Sequence, residues 1–82
     1  MGRIRVNVKV FATLRRFFPG YDPEKGIDVT LEEGATIEHL IQTLQLPPNE
    51  AKVILINGLS KKMTDRITEG DQINIFAPMG GG

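Results

Sequence analysis

Near its start the chain alternates without a break: Ile4, Val6, Val8 and Val10 are apolar, and Arg3, Arg5, Asn7 and Lys9 between them are polar. A period of two puts the first set on one side of a pleated strand and the second on the other, so this chain must build a sheet with one buried face. The same period returns at Ile27, Val29 and Leu31, and again at Ile73, Ile75 and Ala77, where Gln72, Asn74 and Phe76 take the opposite parity. Between these strands Ile37, Leu40, Ile41 and Leu44 fall at i, i+3, i+4 and i+7, an amphipathic helix that Thr36 can cap. Leu46-Pro47-Pro48 should end it, because proline lacks an amide hydrogen and restricts the residue before it.

The remaining segments connect these elements. The run from Phe11 through Phe18 reads as a short helical turn stopped by Pro19-Gly20, and residues 21–26 have a loop composition. Glu32-Glu33-Gly34 and Glu69-Gly70-Asp71 are turns, and Asn57-Gly58 is a tight-turn signal. Val53-Ile54-Leu55-Ile56 is continuously apolar, the pattern expected of a strand covered on both faces, and residues 61–63 fit a short edge strand. The order predicts an α+β domain: a mixed sheet of four to five strands with one main helix packed on one face. The 82 residues hold one core. The expected division is a domain over residues 1–77 and a flexible C-terminal glycine tail over 78–82.

Composition removes whole classes of function. Ten basic and ten acidic residues cancel, so no long-range field gathers nucleic acid or an anionic membrane. The basic bias of Arg3, Arg5, Lys9, Arg15 and Arg16 reads as a solvated face. Without cysteine there are no disulfides, thiolate nucleophiles or cysteine metal sites, and His39 alone cannot build a metal cluster. No apolar run is long enough for a membrane span or a signal-peptide core, so the expected location is cytoplasmic. Ser60 has no serine-nucleophile motif around it, Glu32-Glu33 lies in a turn open to water, and Gly58 to Ser60 is no phosphate loop. His39 lies beside the helix stripe and reads as an ordinary helix residue. The chain is therefore expected to have no turnover of its own and to bind no cofactor by itself.

What is unusual is the end. Gly80-Gly81-Gly82 follows Pro78-Met79 directly after the last strand, with no polar linker. Glycine has no Cβ, so such a tail is thin and can enter a channel too narrow for side chains. Its terminal carboxylate is inert until converted to a mixed anhydride, which a partner must do with ATP and magnesium. Read alone, the tail fits a reactive terminus and a frayed one equally well.

Several stretches resemble the MoaD-like branch of the ubiquitin-like sulfur carriers, the small subunit of molybdopterin synthase. The strand running into Val10-Phe11-Ala12-Thr13-Leu14-Arg15 is similar to that family's strand followed by Phe-Ala and, three residues on, Arg. Ile54-Leu55-Ile56-Asn57-Gly58 is similar to its central strand and turn, and residues 65–71 to the segment before its last strand. The ending from Ile75 resembles a pattern of Phe, Pro, Pro, an apolar residue, a small residue, Gly, Gly, with Ala77 departing from the first proline and Gly80 in the small position.

The resemblance implies a β-grasp (ubiquitin-like) fold with the first and last strands side by side and parallel. It implies that a ubiquitin-activating-type adenylating enzyme uses ATP and magnesium on the Gly82 carboxylate, that a sulfur donor protein converts it to a thiocarboxylate, and that the large synthase subunit receives the tail. Sulfur then passes to a pterin precursor of the molybdenum or tungsten cofactor. Gly80 and Gly81 would thread the partner's channel, and Phe11, Phe76, Pro78 and Met79 would contact partners. Phe76 supports this on its own account, being off the inward parity of Ile73 and Ile75 and close to the tail. A thiamin-type carrier, a protein modifier joined to lysines through Gly82, and an inert β-grasp interaction module remain the alternatives.

Overall fold

The computed structural model describes residues 2–51 and 53–77. The alternating start forms strand β1 (Arg3–Val10), whose Ile4, Val6, Val8 and Val10 are all buried. A 3-10 turn over Ala12–Phe17 follows and buries Leu14. Strand β2 (Ile27–Glu32) returns antiparallel to β1, with Ile4 opposite Leu31 and Val6 opposite Val29.

Helix α1 (Ile37–Leu44) then crosses the sheet and buries Ile37, Leu40 and Ile41. Its start is closed by a reciprocal pair: the His39 N–H donates to Thr36 Oγ1 (3.4 Å) and the Thr36 N–H donates to His39 Nδ1 (3.1 Å). His39 thus takes the place that Glu or Gln usually fills in a capping box. The helix stops before the prolines. Gln45 adopts a left-handed conformation (φ 58°), and the Leu46 N–H reaches back to the Ile41 carbonyl at 3.1 Å. A second 3-10 turn, Pro48–Glu50, leads to β3 (Val53–Ile56).

Asn57 (φ 52°) and Gly58 (φ 84°) form the tight turn, both in the left-handed region that Asn and Gly tolerate best. It hands the chain straight back, so the edge strand is β4 (Leu59–Ser60) and not residues 61–63. The carbonyls after β4 have other partners: Met63 O and Asp65 O accept the Glu38 and Ile37 N–H groups (3.0 Å each) that the first turn of α1 leaves free. The last strand, β5 (Gln72–Phe76), runs between β1 and β3, giving the order β2-β1-β5-β3-β4. It is parallel to β1 and antiparallel to β3. The parallel pairing of first and last strands that the resemblance implies is present, and the fold is a ubiquitin-like β-grasp.

Among the described residues, the sheet has one covered face. α1 and the 3-10 turns lie over Val8, Val10, Ile54, Ile56, Ile73 and Ile75, all buried. Each such side chain contributes about 1.5–3 kcal/mol through removal from water. β3 therefore departs from the expectation of two covered faces: Ile54 and Ile56 point inward, but Val53 is 42% exposed on the open side. Among the described residues no helix is long and apolar enough to cross a membrane.

Candidate functional site

Strand pairing fixes what the open face presents, because residues directly opposite one another share a face. At the end where β5 finishes, Val53 lies opposite Phe76, and Phe11 continues β1 beside it. The Phe11 and Phe76 rings stack, with centroids 4.5 Å apart and planes 9° from parallel. Phe11, Phe76 and Val53 thus form an apolar strip across three strands. One row inward come Lys9, Asn74, Leu55 and Ser60, linked by the pairings Lys9 with Asn74, Leu55 with Asn74 and Leu55 with Ser60. Asn7 and Gln72 form the next row, tied by a Gln72 Nε2–H donated to the Asn7 carbonyl at 3.3 Å. At the far end Arg5 lies opposite Thr30, and Arg3 opposite Glu32. The face grades from apolar at one end, through amides, to charges at the other.

Local sequence explains how the strip is held. The Phe11 N–H donates to the Ile75 carbonyl at 3.1 Å, so Phe11 extends the β1–β5 ladder one step beyond Val10. Ala12 then takes a positive φ of 57°, which ends the strand and turns the chain into the 3-10 segment. Stacking leaves both rings half-buried: each covers one face of the other, and aromatic pairs of this kind contribute about 0.5–1.5 kcal/mol beyond their area.

Phe11 and Phe76, expected to act together, are brought into contact although 65 positions separate them in the chain. Phe76 is on the outward parity as expected, but half-buried by its partner ring. Pro78, Met79, Gly80, Gly81 and Gly82 lie outside the described residues. Val53 joins the strip and Leu55 the row behind it, both unforeseen; their signal was the apolar run itself, whose alternate members share the parity of Phe76. Leu59, although 64% exposed, is opposite Ile56 and so belongs to the helix side of the sheet edge.

Among the described residues no group of three or more His, Cys, Asp or Glu could hold a metal ion, and no polar or charged residue is buried. His39 is committed to the helix cap. Glu32 and Glu33 are exposed, and the open groove beside them is lined by Thr30, Ala35, His39 and Thr43, with no nucleophile next to a free base. What the described residues bring together on the open face is the apolar strip.

Comparison with known proteins agrees with this architecture. The family model described as Mut7-C ubiquitin matches residues 3–80. Among solved structures, the chain is similar to a putative molybdopterin converting factor, subunit 1, from Pyrococcus furiosus, at 23% identity over 93% of this chain and 99% of that one (TM-score 0.72). It is similar to the small archaeal modifier protein 1 of Haloferax volcanii at 17% identity, covering 93% of this chain and 99% of that one (TM-score 0.74). It is also similar to a ubiquitin of Caldiarchaeum subterraneum at 17% identity, covering 99% of this chain and 100% of that one (TM-score 0.63). At these identities the likeness is one of fold. No curated protein matches the sequence significantly.

Proposed function

The chain belongs to the Mut7-C ubiquitin family, and from that premise we propose that it is a carrier whose reacting atom is the carboxyl carbon of Gly82. The observation that carries this reading is placement: the Phe11–Phe76–Val53 strip lies at the end of the sheet where β5 finishes, six residues before the glycine terminus. Those six residues can reach up to about 20 Å when extended. An enzyme gripping the strip can therefore draw Gly82 into a site of its own.

The chemistry divides between two proteins. The partner, an adenylating enzyme, brings ATP and magnesium; the Gly82 carboxylate attacks the α-phosphorus, pyrophosphate leaves, and an acyl-adenylate forms. A sulfide-level donor then attacks the carboxyl carbon. The C–S bond forms as the C–O bond to AMP breaks, leaving a thiocarboxylate on Gly82. This chain supplies the nucleophilic carboxylate, the Gly80 and Gly81 backbone to pass through a narrow channel, and the docking strip, with Pro78 and Met79 as further partner contacts. The sulfur goes on to a pterin precursor through a large synthase subunit, as the MoaD-like resemblance implies.

The similarity to a small archaeal modifier protein favours one competing reading, in which the same acyl-adenylate is captured by a lysine. Intact mass after incubation with adenylating enzyme, ATP, magnesium and sulfide separates the two. A gain of about 16 Da, sulfur for oxygen, is the expected result. Adducts of the chain with other proteins, in place of that gain, would establish the modifier, and an unchanged mass would leave the tail inert.

A further inference from the structure

β1 outlasts its partner. β2 begins at Ile27, opposite Val8, so nothing from β2 faces Val10. Along β1 the N–H groups of Asn7 and Phe11 point toward β5, donating to the Asp71 and Ile75 carbonyls at 3.1 Å. Val10 points the other way, toward the missing strand, and a buried edge left unpaired costs about 1–3 kcal/mol for each orphaned group.

Two side chains replace that strand. The Val10 N–H donates to the Tyr21 hydroxyl at 3.1 Å, and Arg15 Nε–H donates to the Val10 carbonyl at 3.3 Å. The two substitutes also hold each other, since the Arg15 guanidinium carbon lies 5.5 Å from the Tyr21 ring centroid. Successive turns deliver them: the Phe18 N–H donates to the Arg15 carbonyl and the Tyr21 N–H to the Phe18 carbonyl, both at 3.0 Å. The next residue after Val10 is Phe11, stacked on Phe76.

We infer that Arg15 and Tyr21 are positioning residues: they clamp the Val10 peptide from the side β2 leaves open and thereby set the height at which the Phe11 ring meets Phe76. β5 holds the Phe11 N–H, and the 3-10 turn holds its carbonyl through the Leu14 N–H at 3.3 Å. The clamp fixes the peptide before it from the side away from β5, so the docking strip is held between a strand and a pair of side chains. The stacking role stands on the geometry of the free chain; the effect on docking rests on the carrier reading above.

Four variants test it. Tyr21→Phe removes the hydroxyl and keeps the ring under Arg15. Arg15→Met removes the donor, whereas Arg15→Gln places its Nε2 on the same δ carbon that bears the arginine Nε. Val29→Ala, in the core away from the strip, supplies a comparable fall in melting temperature without touching the clamp. Ring-proton resonances of Phe11 and Phe76 are read by NMR in the free chain, and affinity is read with the cognate adenylating enzyme. Tyr21→Phe and Arg15→Met should move both rings toward unstacked values and weaken docking about tenfold. Arg15→Gln should restore the rings, and Val29→Ala should leave rings and affinity alone. Unmoved rings, a failed glutamine rescue, or an equal ring shift in Val29→Ala would overturn the clamp. Shifted rings with unchanged affinity would overturn its link to docking. If the unaltered chain binds no adenylating enzyme, the carrier reading fails, and the ring resonances alone decide the clamp.

Discussion

The two faces of the sheet are made by the same strands, and they differ in what constrains them. On the covered face Val8, Val10, Ile54, Ile56, Ile73 and Ile75 are uniformly aliphatic and buried, and all belong to the one core that α1 and the 3-10 turns complete. On the open face the same strands carry Phe11, Phe76 and Val53 at one end and Arg3, Arg5 and Glu32 at the other, with amides between. Folding needs the first face. It does not need an apolar strip on the second, where water would be satisfied equally well by polar residues, and that surplus is what the proposed docking role accounts for.

The sharpest way to break that contrast is to exchange the roles of neighbours on β5. Ile75→Ala should cost about 2–5 kcal/mol of stability, the range for a large aliphatic removed from a filled core, measured by denaturant unfolding. Phe76→Asp should cost less in stability, about 1 kcal/mol for the lost stack. It should weaken binding to the adenylating enzyme by about 2 kcal/mol or more, because an apolar anchor becomes a desolvated charge. If Phe76→Asp unfolds the chain as severely as Ile75→Ala, the strip is core and the two faces are not distinct.

Smaller effects sharpen the account of how α1 covers only one side. Thr36→Ala removes the side-chain acceptor of the helix cap and should lower stability by about 1 kcal/mol, with no change in docking. Gln45→Gly relieves a left-handed residue at the other end and should raise stability by about 0.5–1 kcal/mol, seen as a higher melting temperature. Loss of stability on that change would mean that the Gln45 side chain contributes more than its backbone strain costs.

Legibility in the sequence followed the range of the interactions. Period-two and period-3.6 patterns located β1, β2, α1 and β5, because each is set by which side of a local element meets the core. The pairing of β1 with β5, and with it the contact of Phe11 with Phe76, joins residues far apart in the chain; periodicity is silent on that, and only the family resemblance implied it. At β3 the apolar run from Val53 to Ile56 suggested two covered faces, since hydrophobicity records that a side chain avoids water and not whether its cover belongs to the same chain. Residues 61–63 suggested a strand, but only the Lys61 N–H still reaches β3, at the Ile54 carbonyl (2.8 Å), while the Lys62 N–H turns to the Asp65 carboxylate and the Met63 carbonyl serves the first turn of α1. Tyr21 looked like loop composition, and nothing local marks a hydroxyl whose partner is the Val10 amide eleven positions back.

On the proposed reading, the open face docks a partner so that the Gly82 carboxyl carbon can react. Deleting Gly82 should change stability by less than about 0.5 kcal/mol and abolish sulfur acceptance. The direct measurement is fragmentation mass spectrometry of the full chain after reaction with adenylating enzyme, ATP, magnesium and sulfide, beside the chain lacking Gly82. The account predicts a gain of about 16 Da confined to the fragment that ends in Gly82, and no gain in the shortened chain. Sulfur found on any other residue, or taken up equally by the chain without Gly82, would contradict it.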